Sequence, residues 1–392
     1  MTAASDAVNQ NRFIIALRAA ASIRTELTRD DVARAVAELK AAGLGALTVP
    51  ESHGGGGADL SVLFDFLVEL ATVDPNISHA VGNHYHFVDG LRFHDDRDLA
   101  DRAYASVVHG HLYTVCAAEA ASASSVTTIS RAADGSFELN GIKAYSTGST
   151  FADVFAVRAT TPNGEPRTVL VEATSPHVEV RDDWAAFGQQ HTGSGTVTFD
   201  HIRVDAGSVV DFGESPHGSL PYRGGFTQLV LLASAAGITQ RVHSDAIAMV
   251  GRRTRNFAHG SAEDPRHDPF IQSVVGELSA LAWITRLAVK EAAATFADRP
   301  DPRDGIDAYI AASQAASVEI SRAKSIVDRL SLQAATRLFD AGGGTAVAED
   351  RALDRHWRNL RTLASHNPKE YRDRAVGDLE INGSNLPASG PF

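Results

Sequence analysis

The sequence predicts an α+β chain in three parts. They are an N-terminal helical domain (residues 1–111), a central β-barrel domain (112–225), and a C-terminal four-helix bundle with a tail (226–392). Two observations predict this. The hydrophobic period changes twice: helical up to His109, short β-type runs from Leu112 to Val209, helical again from Phe226 to Ala364. The length of 392 residues, with 44% hydrophobic and 21% charged residues, suits a globular chain of two or three domains.

Apolar residues at helical spacing place the first helices over Val32–Leu39 and Leu60–Leu70, with Asp30 and Asp31 positioned as N-caps for the first. Gly54–Gly57 forms a loop between them, and Asp74-Pro75-Asn76 is a further break. In the middle region Phe137–Leu139 reads as a strand closed by a tight turn at Asn140-Gly141. Val154–Val157, Thr168–Val171, Val178–Val180 and Thr196–Phe199 read as further strands, with a turn at Thr161–Gly164. Such evenly spaced short strands suggest a small barrel or sandwich. Segments Leu229–Arg253, Ile271–Asp298, Gly305–Phe339 and Val347–Leu363 are long and amphipathic, broken at Pro300–Pro302 and Gly342–Gly344. They read as an up-and-down bundle. The tail from Asn367, with turn clusters at Asn382-Gly383 and Pro387, reads as peripheral.

A net charge of −12 argues against a surface built for nucleic acid or an anionic membrane. Met1–Asn11 lacks the basic and apolar regions of a signal peptide, and Leu229–Ile238 is too short to span a bilayer, so a cytoplasmic protein is expected. The single cysteine, Cys116, excludes an intramolecular disulfide and a Cys-based zinc or iron–sulfur site. The 16 histidines invite a metal reading through His84/His86 and His109/His111. On a helix, residues i and i+2 point apart, and no Glu or Cys stands at zinc spacing, so no metal is expected.

Several motifs point to one family. Val49-Pro50-Glu51-Ser52-His53-Gly54-Gly55, Lys143-Ala144-Tyr145-Ser146-Thr147-Gly148 and Asp340-Ala341-Gly342-Gly343-Gly344 resemble, in order and interval, elements of the acyl-CoA dehydrogenase superfamily. Two longer runs resemble its class D flavin monooxygenases, close to dibenzothiophene monooxygenase. One is Asp182–Gly188 followed by Thr192–Gly195; the other is Asp354–Thr362 followed by Ser365-His366-Asn367-Pro368. The resemblance covers about residues 10 to 385. It implies the superfamily's helical domain, β-barrel and four-helix bundle, and a homotetramer paired through the bundle. The apolar faces of Leu229–Ile238 and Ile271–Leu287 are candidate interfaces.

The resemblance implies a two-component enzyme. A separate flavin reductase supplies reduced FMN (FAD being possible), oxygen adds at flavin C4a, and the resulting hydroperoxide oxygenates a small-molecule substrate at sulfur, nitrogen or an aromatic carbon. Tyr145 offers an aromatic ring to the flavin face, with Ser146 and Thr147 as hydroxyl partners. Trp184 walls a flat pocket for flavin and substrate. His366, at a helix end before Asn367, is the first candidate to hold or move a proton beside the flavin. His84 is the favoured catalytic histidine of Gly82–Phe87, and His86 a substrate contact. Arg253, Arg255 and Gly343 are candidates for the cofactor phosphate, near a neighbouring subunit's flavin. Helix capping explains these three as readily.

Two departures leave the substrate open. Val115, Ala117 and Ala118 stand where sulfur-oxidising relatives show polar residues, and Leu363 stands where dibenzothiophene monooxygenase has a second His. The alternative function is an FAD-dependent acyl-CoA dehydrogenase, which needs a carboxylate base. The family's Glu is missing from the His366 loop, Glu370 lies after Pro368, and Glu277 is the remaining candidate. A third reading is a bundle protein that has lost catalysis and acts by assembly.

Overall fold

The computed structural model of the chain describes residues 10, 12–19, 26–120, 126–210 and 224–388. Apart from Gln10, the Met1–Asn11 stretch lies outside the described residues.

The N-terminal layer holds α1 (12–19), α2 (Arg29–Ala41), α3 (Leu60–Val73), α4 (Pro75–Arg92) and α5 (Arg97–Val108). The cap of α2 is Thr28, one turn earlier than the aspartates predicted. Thr28 and Asp31 form a reciprocal capping box, so Asp31 serves from inside the helix. Asp74 caps α4 by accepting from the Asn76 backbone N–H at 2.8 Å, and Pro75 occupies the first helical position.

The middle region forms one mixed sheet from β1 (Tyr113–Cys116), β2 (Thr128–Arg131), β3 (Phe137–Lys143), β4 (Val154–Thr160), β5 (Pro166–Glu172), β6 (Val178–Arg181), β7 (Thr196–Val204) and β8 (Val209–Val210). The strand order is β6-β7-β3-β2-β4-β5-β8, with β1 also on β4. β1 runs parallel to the start of β4, and β2 meets it only at Thr128–Thr160. The two wings fold face to face, so that Phe155 of β4 meets Phe199 of β7 edge-on at 5.9 Å. Among the described residues β6 and β8 do not pair.

The turn predicted at Asn140-Gly141 is instead a bulge inside β3, with a register shift against β7 between Leu139 and Gly141. Gly is required there because a Cβ at 141 would lie 2.4 Å from Thr127 Oγ1.

The C-terminal helices are α6 (Gly224–Gly251), α7 (Pro269–Ala297), α8 (Ile306–Gly342), α9 (Asp354–Ala364) and α10 (Lys369–Asn382). α6 is central, and its Leu229–Ile238 stretch is buried within the chain, so that face offers no intersubunit surface. The predicted helix Val347–Leu363 begins only at Asp354. Gly343 at φ +59° and Ala352 at φ +45° break the backbone, and two short 3₁₀ turns fill the gap. The tail is not peripheral. It folds as α10, docks on α8, and buries Arg372, which donates to Ser321 Oγ at 3.0 Å. No helix among the described residues is long and apolar enough to cross a membrane.

Candidate active site

A cavity of about 1130 Å³ opens where α4, the Tyr145 segment, the Trp184–Ser194 loop, the start of α6 and the α9–α10 link converge. Each wall brings a different chemistry.

α4 contributes His79, Asn83 and His86. These lie at i, i+4 and i+7, on one face of the helix. His79 Nδ1 lies 3.1 Å from Gln189 Oε1. Burial pushes its pKa down to about 4, with His366 lowering it further. His86 stacks on Phe226 at 5.3 Å and approaches Thr227 Oγ1 at 3.4 Å. His84, favoured as catalytic from the sequence, does not reach the cavity. Its Nε2–H donates to Gly45 O at 2.8 Å and its Nδ1 accepts from the Tyr113 N–H at 3.0 Å. Both ring nitrogens are thus spent joining α4 to β1 and the turn before Leu47, and burial holds the ring neutral with a pKa of about 4.

The Tyr145–Gly148 segment follows β3. Tyr145 adopts φ +52°, a conformation uncommon for a non-glycine residue. The backbone around it is pinned: Ser146 N–H donates to Gly195 O at 3.1 Å, and Gly148 N–H to Thr192 O at 2.9 Å. The result presents the Tyr145 ring, 66% exposed, edge-on to Trp184 at 5.8 Å. Ser146 is turned the other way. It is fully buried beside the Cys116 thiol, whose pKa burial pushes up to about 12, and it does not line the cavity. The sequence-based pairing of Ser146 with Thr147 as site hydroxyls is corrected to Thr147 alone, because a tight turn, with Thr147 N–H donating to Tyr145 O at 2.9 Å, leaves Ser146 at its apex turned into the protein.

Thr147 belongs to an oriented hydroxyl chain. Thr192 Oγ1 donates to Gln189 O at 2.9 Å, a carbonyl that can only accept. Ser194 Oγ, 2.7 Å away, therefore donates to Thr192, and Thr147, 2.8 Å from Ser194, donates to Ser194. Thr147 is left with lone pairs to offer the cavity.

Gln189 organises this wall, and sequence reading missed it. It sits at φ +53° and is buried. Its N–H donates to Asn359 Oδ1 at 2.7 Å, and its carbonyl also accepts the Trp184 indole N–H at 2.9 Å. Gln189 Nε2 and Asn367 Oδ1 are buried on the cavity wall without a partner among the described residues. Unpaired buried amide groups of this kind suit a polar heterocycle.

His366 lies in the α9–α10 link, exposed and lining the cavity. Desolvation lowers its pKa, Asn367 raises it, and Lys324 lowers it. Lys324 is itself buried and paired with Asp328 at 2.9 Å.

Arg253, Arg255 and Gly343 lie elsewhere. Neither arginine closes α6, which ends at Gly251; both stand in the loop beyond it. Arg253 donates to Ala341 O at 2.6 Å and covers the Phe257 ring at 4.4 Å, and a Cβ at Gly343 would meet that ring at 2.5 Å. Arg255 is exposed. None of the three lines this chain's cavity.

The described cavity wall contains no Asp or Glu. Glu277 is on the outside of the bundle, held by Arg337 at 2.8 Å and Gln333 at 3.0 Å. No group of three or more His, Cys, Asp or Glu able to hold a metal occurs among the described residues.

Residues 116–202 match the middle domain of acyl-CoA dehydrogenase, and residues 229–369 its C-terminal domain. The chain is 27% identical over 361 residues to a dibenzothiophene monooxygenase of Mycolicibacterium goodii, covering 88% of this chain and 86% of the relative. It is 25% identical over 347 residues to SfnC of Pseudomonas putida, a probable FMNH2-dependent monooxygenase, with 88% and 87% covered. Its fold matches that of the methanesulfinate monooxygenase MsuC from Pseudomonas fluorescens with a TM-score of 0.85 at 23% identity, covering 97% of this chain and 99% of the other. Two matched domains in their expected order, on a fold shared over nearly the whole chain, leave one conclusion: the chain belongs to the acyl-CoA dehydrogenase superfamily.

Proposed function

We propose that the chain is the oxygenase of a two-component flavin monooxygenase, using reduced FMN from a separate reductase and dioxygen to oxygenate a small organic substrate. The carrying observation is the composition of the cavity wall: His79, His86 and His366 line it, and no described carboxylate does. An acyl-CoA dehydrogenase needs a carboxylate at the thioester, and Glu277 is engaged elsewhere. The relatives named as monooxygenases support the same side, one being FMNH2-dependent.

The residues fit a flavin. Tyr145 and Trp184 offer aromatic edge and face, and Thr147, Gln189 and Asn367 offer an acceptor, a donor and an acceptor. Bound reduced FMN supplies two electrons, so that one atom of dioxygen enters the substrate and the other leaves as water. This chain's part is to exclude water and to hold a proton. His366, uncharged at neutral pH, takes that role, and His86 borders the substrate. Arg253, Arg255 and Gly343 serve the cofactor phosphate of a neighbouring copy in a homotetramer. Trp283 and Leu287, exposed on α7, suit that assembly, which sedimentation of Trp283→Glu against the parent reads directly. A cytoplasmic location accords with the lone reduced cysteine.

The test supplies chemically reduced FMN and ¹⁸O₂ with thioethers, sulfones, amines and phenols. One labelled oxygen per product molecule is expected. Bleaching of bound oxidised flavin by an acyl-CoA, with no label transferred to any substrate, sinks this reading.

A further inference from the structure

β4 alternates with a clear logic. Phe155, Val157 and Ala159 face the core between the sheet wings. Val154 and Ala156 face the other way, onto α4 and α5. The next residue on that outer face is Arg158. It lines the cavity beside Val115, Ala117, Ala156 and Pro166, where the helices cease to cover the strand. A guanidinium replaces an apolar side chain at the point where the sheet face becomes cavity wall.

Arg158 is unlike its neighbours. Arg167, on the same wall, is held by Glu165 at 2.9 Å. Lys143, whose pKa burial lowers, is tied to Glu119 at 2.6 Å. No described acid pairs with Arg158, and desolvation alone lowers its pKa. Directly across the ladder its register partner is Thr168, which lines the same cavity. Cross-strand partners share a face, so Arg158 and Thr168 both rise from the cavity side of the sheet. Arg158 keeps accessible surface on the cavity wall, so a cation without a described counter-charge is presented there to whatever enters.

We propose that Arg158, with Thr168, is a receptor for an acidic group on the substrate, a carboxylate, sulfinate or sulfonate carried alongside the atom that is oxygenated. The oxygenation belongs to the monooxygenase reading, on which the word substrate rests; the anion site stands on its own geometry. The guanidinium matches such groups bidentately, and Thr168 adds one donor.

The same chemistry has a second source, the phosphate of FMN, and the experiment separates the two. Titration calorimetry on the FMN-free protein compares 3-(methylthio)propanoate with its methyl ester, and benzoate with benzamide. The parent is expected to bind each acid at least about tenfold more tightly than its neutral partner, a preference that salt weakens. Arg158→Gln is expected to abolish the preference and Arg158→Lys to keep part of it. FMN and riboflavin affinities of Arg158→Gln are expected to match the parent's, which also shows that the variant folds. Equal binding of acid and neutral probe by the parent overturns the proposal. So does an Arg158→Gln variant that loses FMN but not riboflavin, because the anion received is then the cofactor's. If the acid preference and its loss stand but no label is transferred from ¹⁸O₂, the monooxygenase reading falls and the anion site remains.

Discussion

Gln189 Oε1 lies 3.1 Å from Nδ1 of His79, and this contact fastens the loop before β7 to the cavity face of α4. The same residue takes the Trp184 indole and the Thr192 hydroxyl on its carbonyl and reaches Asn359 through its N–H. One backbone conformation, φ +53°, therefore sets an aromatic wall, a histidine and the start of the hydroxyl chain that ends at Thr147. Replacing Gln189 with Ala leaves His79 without its partner and keeps the strained backbone. A loss of about 1–3 kcal/mol is expected, read as a lower Tm, together with weaker FMN binding. Gln189→Asn, better suited to positive φ, is expected to recover stability more than FMN affinity. Equal FMN affinity in the Ala variant and the parent counts against the organising role.

Acid sensitivity follows from two buried histidines, His84 and the α9 residue His356, which faces Asp245 at 2.9 Å, and from the part-buried His79. Burial pushes His79, His84 and His356 down from 6.5 to about 4 in the folded chain. The unfolded chain takes up these protons first, from about pH 6.5. Folding stability is therefore full above pH 6.5 and falls as pH drops toward 4, by up to about 3 kcal/mol per histidine at complete shift. Denaturant unfolding between pH 7.5 and 4.5 reads this slope. His84→Gln, which removes one titrating ring, is expected to flatten it while lowering stability at pH 7.5. An unchanged slope contradicts the assignment for His84.

The reach of the sequence can be judged from these residues. Trp184 and His366 stand in long runs whose residue types carry the family resemblance, and both line the cavity. Residue types alone leave helix and strand open for Gly82–Phe87, and so do not tell His84 from His86. Once Asp74-Pro75 is taken as a helix start, a 3.6-residue period sets His79, Asn83 and His86 on one face and His84 off it. Gln189 had no such signal, since its importance comes from a backbone angle and from partners on α4 and α9. α10 was missed for a different reason: it buries only Arg372 and Ala375, so it has no apolar stripe to read. At Gly141 Asn-Gly is a strong turn signal, and only the approach of Thr127 reveals why glycine stands there in a bulge.

Gly148 sets the height of the Thr147 wall. At φ +84°, an added Cβ would lie 2.5 Å from Ala80 O and 2.8 Å from Thr114 Oγ1. The Thr147 carbonyl alongside accepts from Asn83 Nδ2 at 3.1 Å and Thr114 Oγ1 at 3.0 Å. Gly148→Ala must therefore push β1 and α4 apart as well as adopt an unfavourable angle. A cost of about 2–4 kcal/mol is expected, with a Tm drop and weaker FMN binding. A folded variant with parental Tm contradicts the close approach.

His366 gives the sharpest link between electrostatics and turnover. Its ring is desolvated and beside Lys324, so its pKa lies below 6.5, and it is uncharged through the neutral range. A neutral imidazole can accept one hydrogen bond and donate another, whereas the imidazolium can only donate. The fraction of oxygen consumed that enters product, rather than escaping as hydrogen peroxide, is then expected to be flat above pH 6.5. It should fall only below that value, where the ring charges. His366→Ala removes both the proton-holding group and part of the cavity wall. Product formation is expected to drop about 10²-fold while flavin oxidation continues, so that most oxygen appears as hydrogen peroxide. His366→Asn keeps a polar group that does not titrate, and is expected to lose the acid limb of the profile while restoring part of the yield. Parental yield and an unshifted acid limb in both variants would place the titrating group elsewhere, with His79 next, since its charge and that of His366 repel across the same cavity.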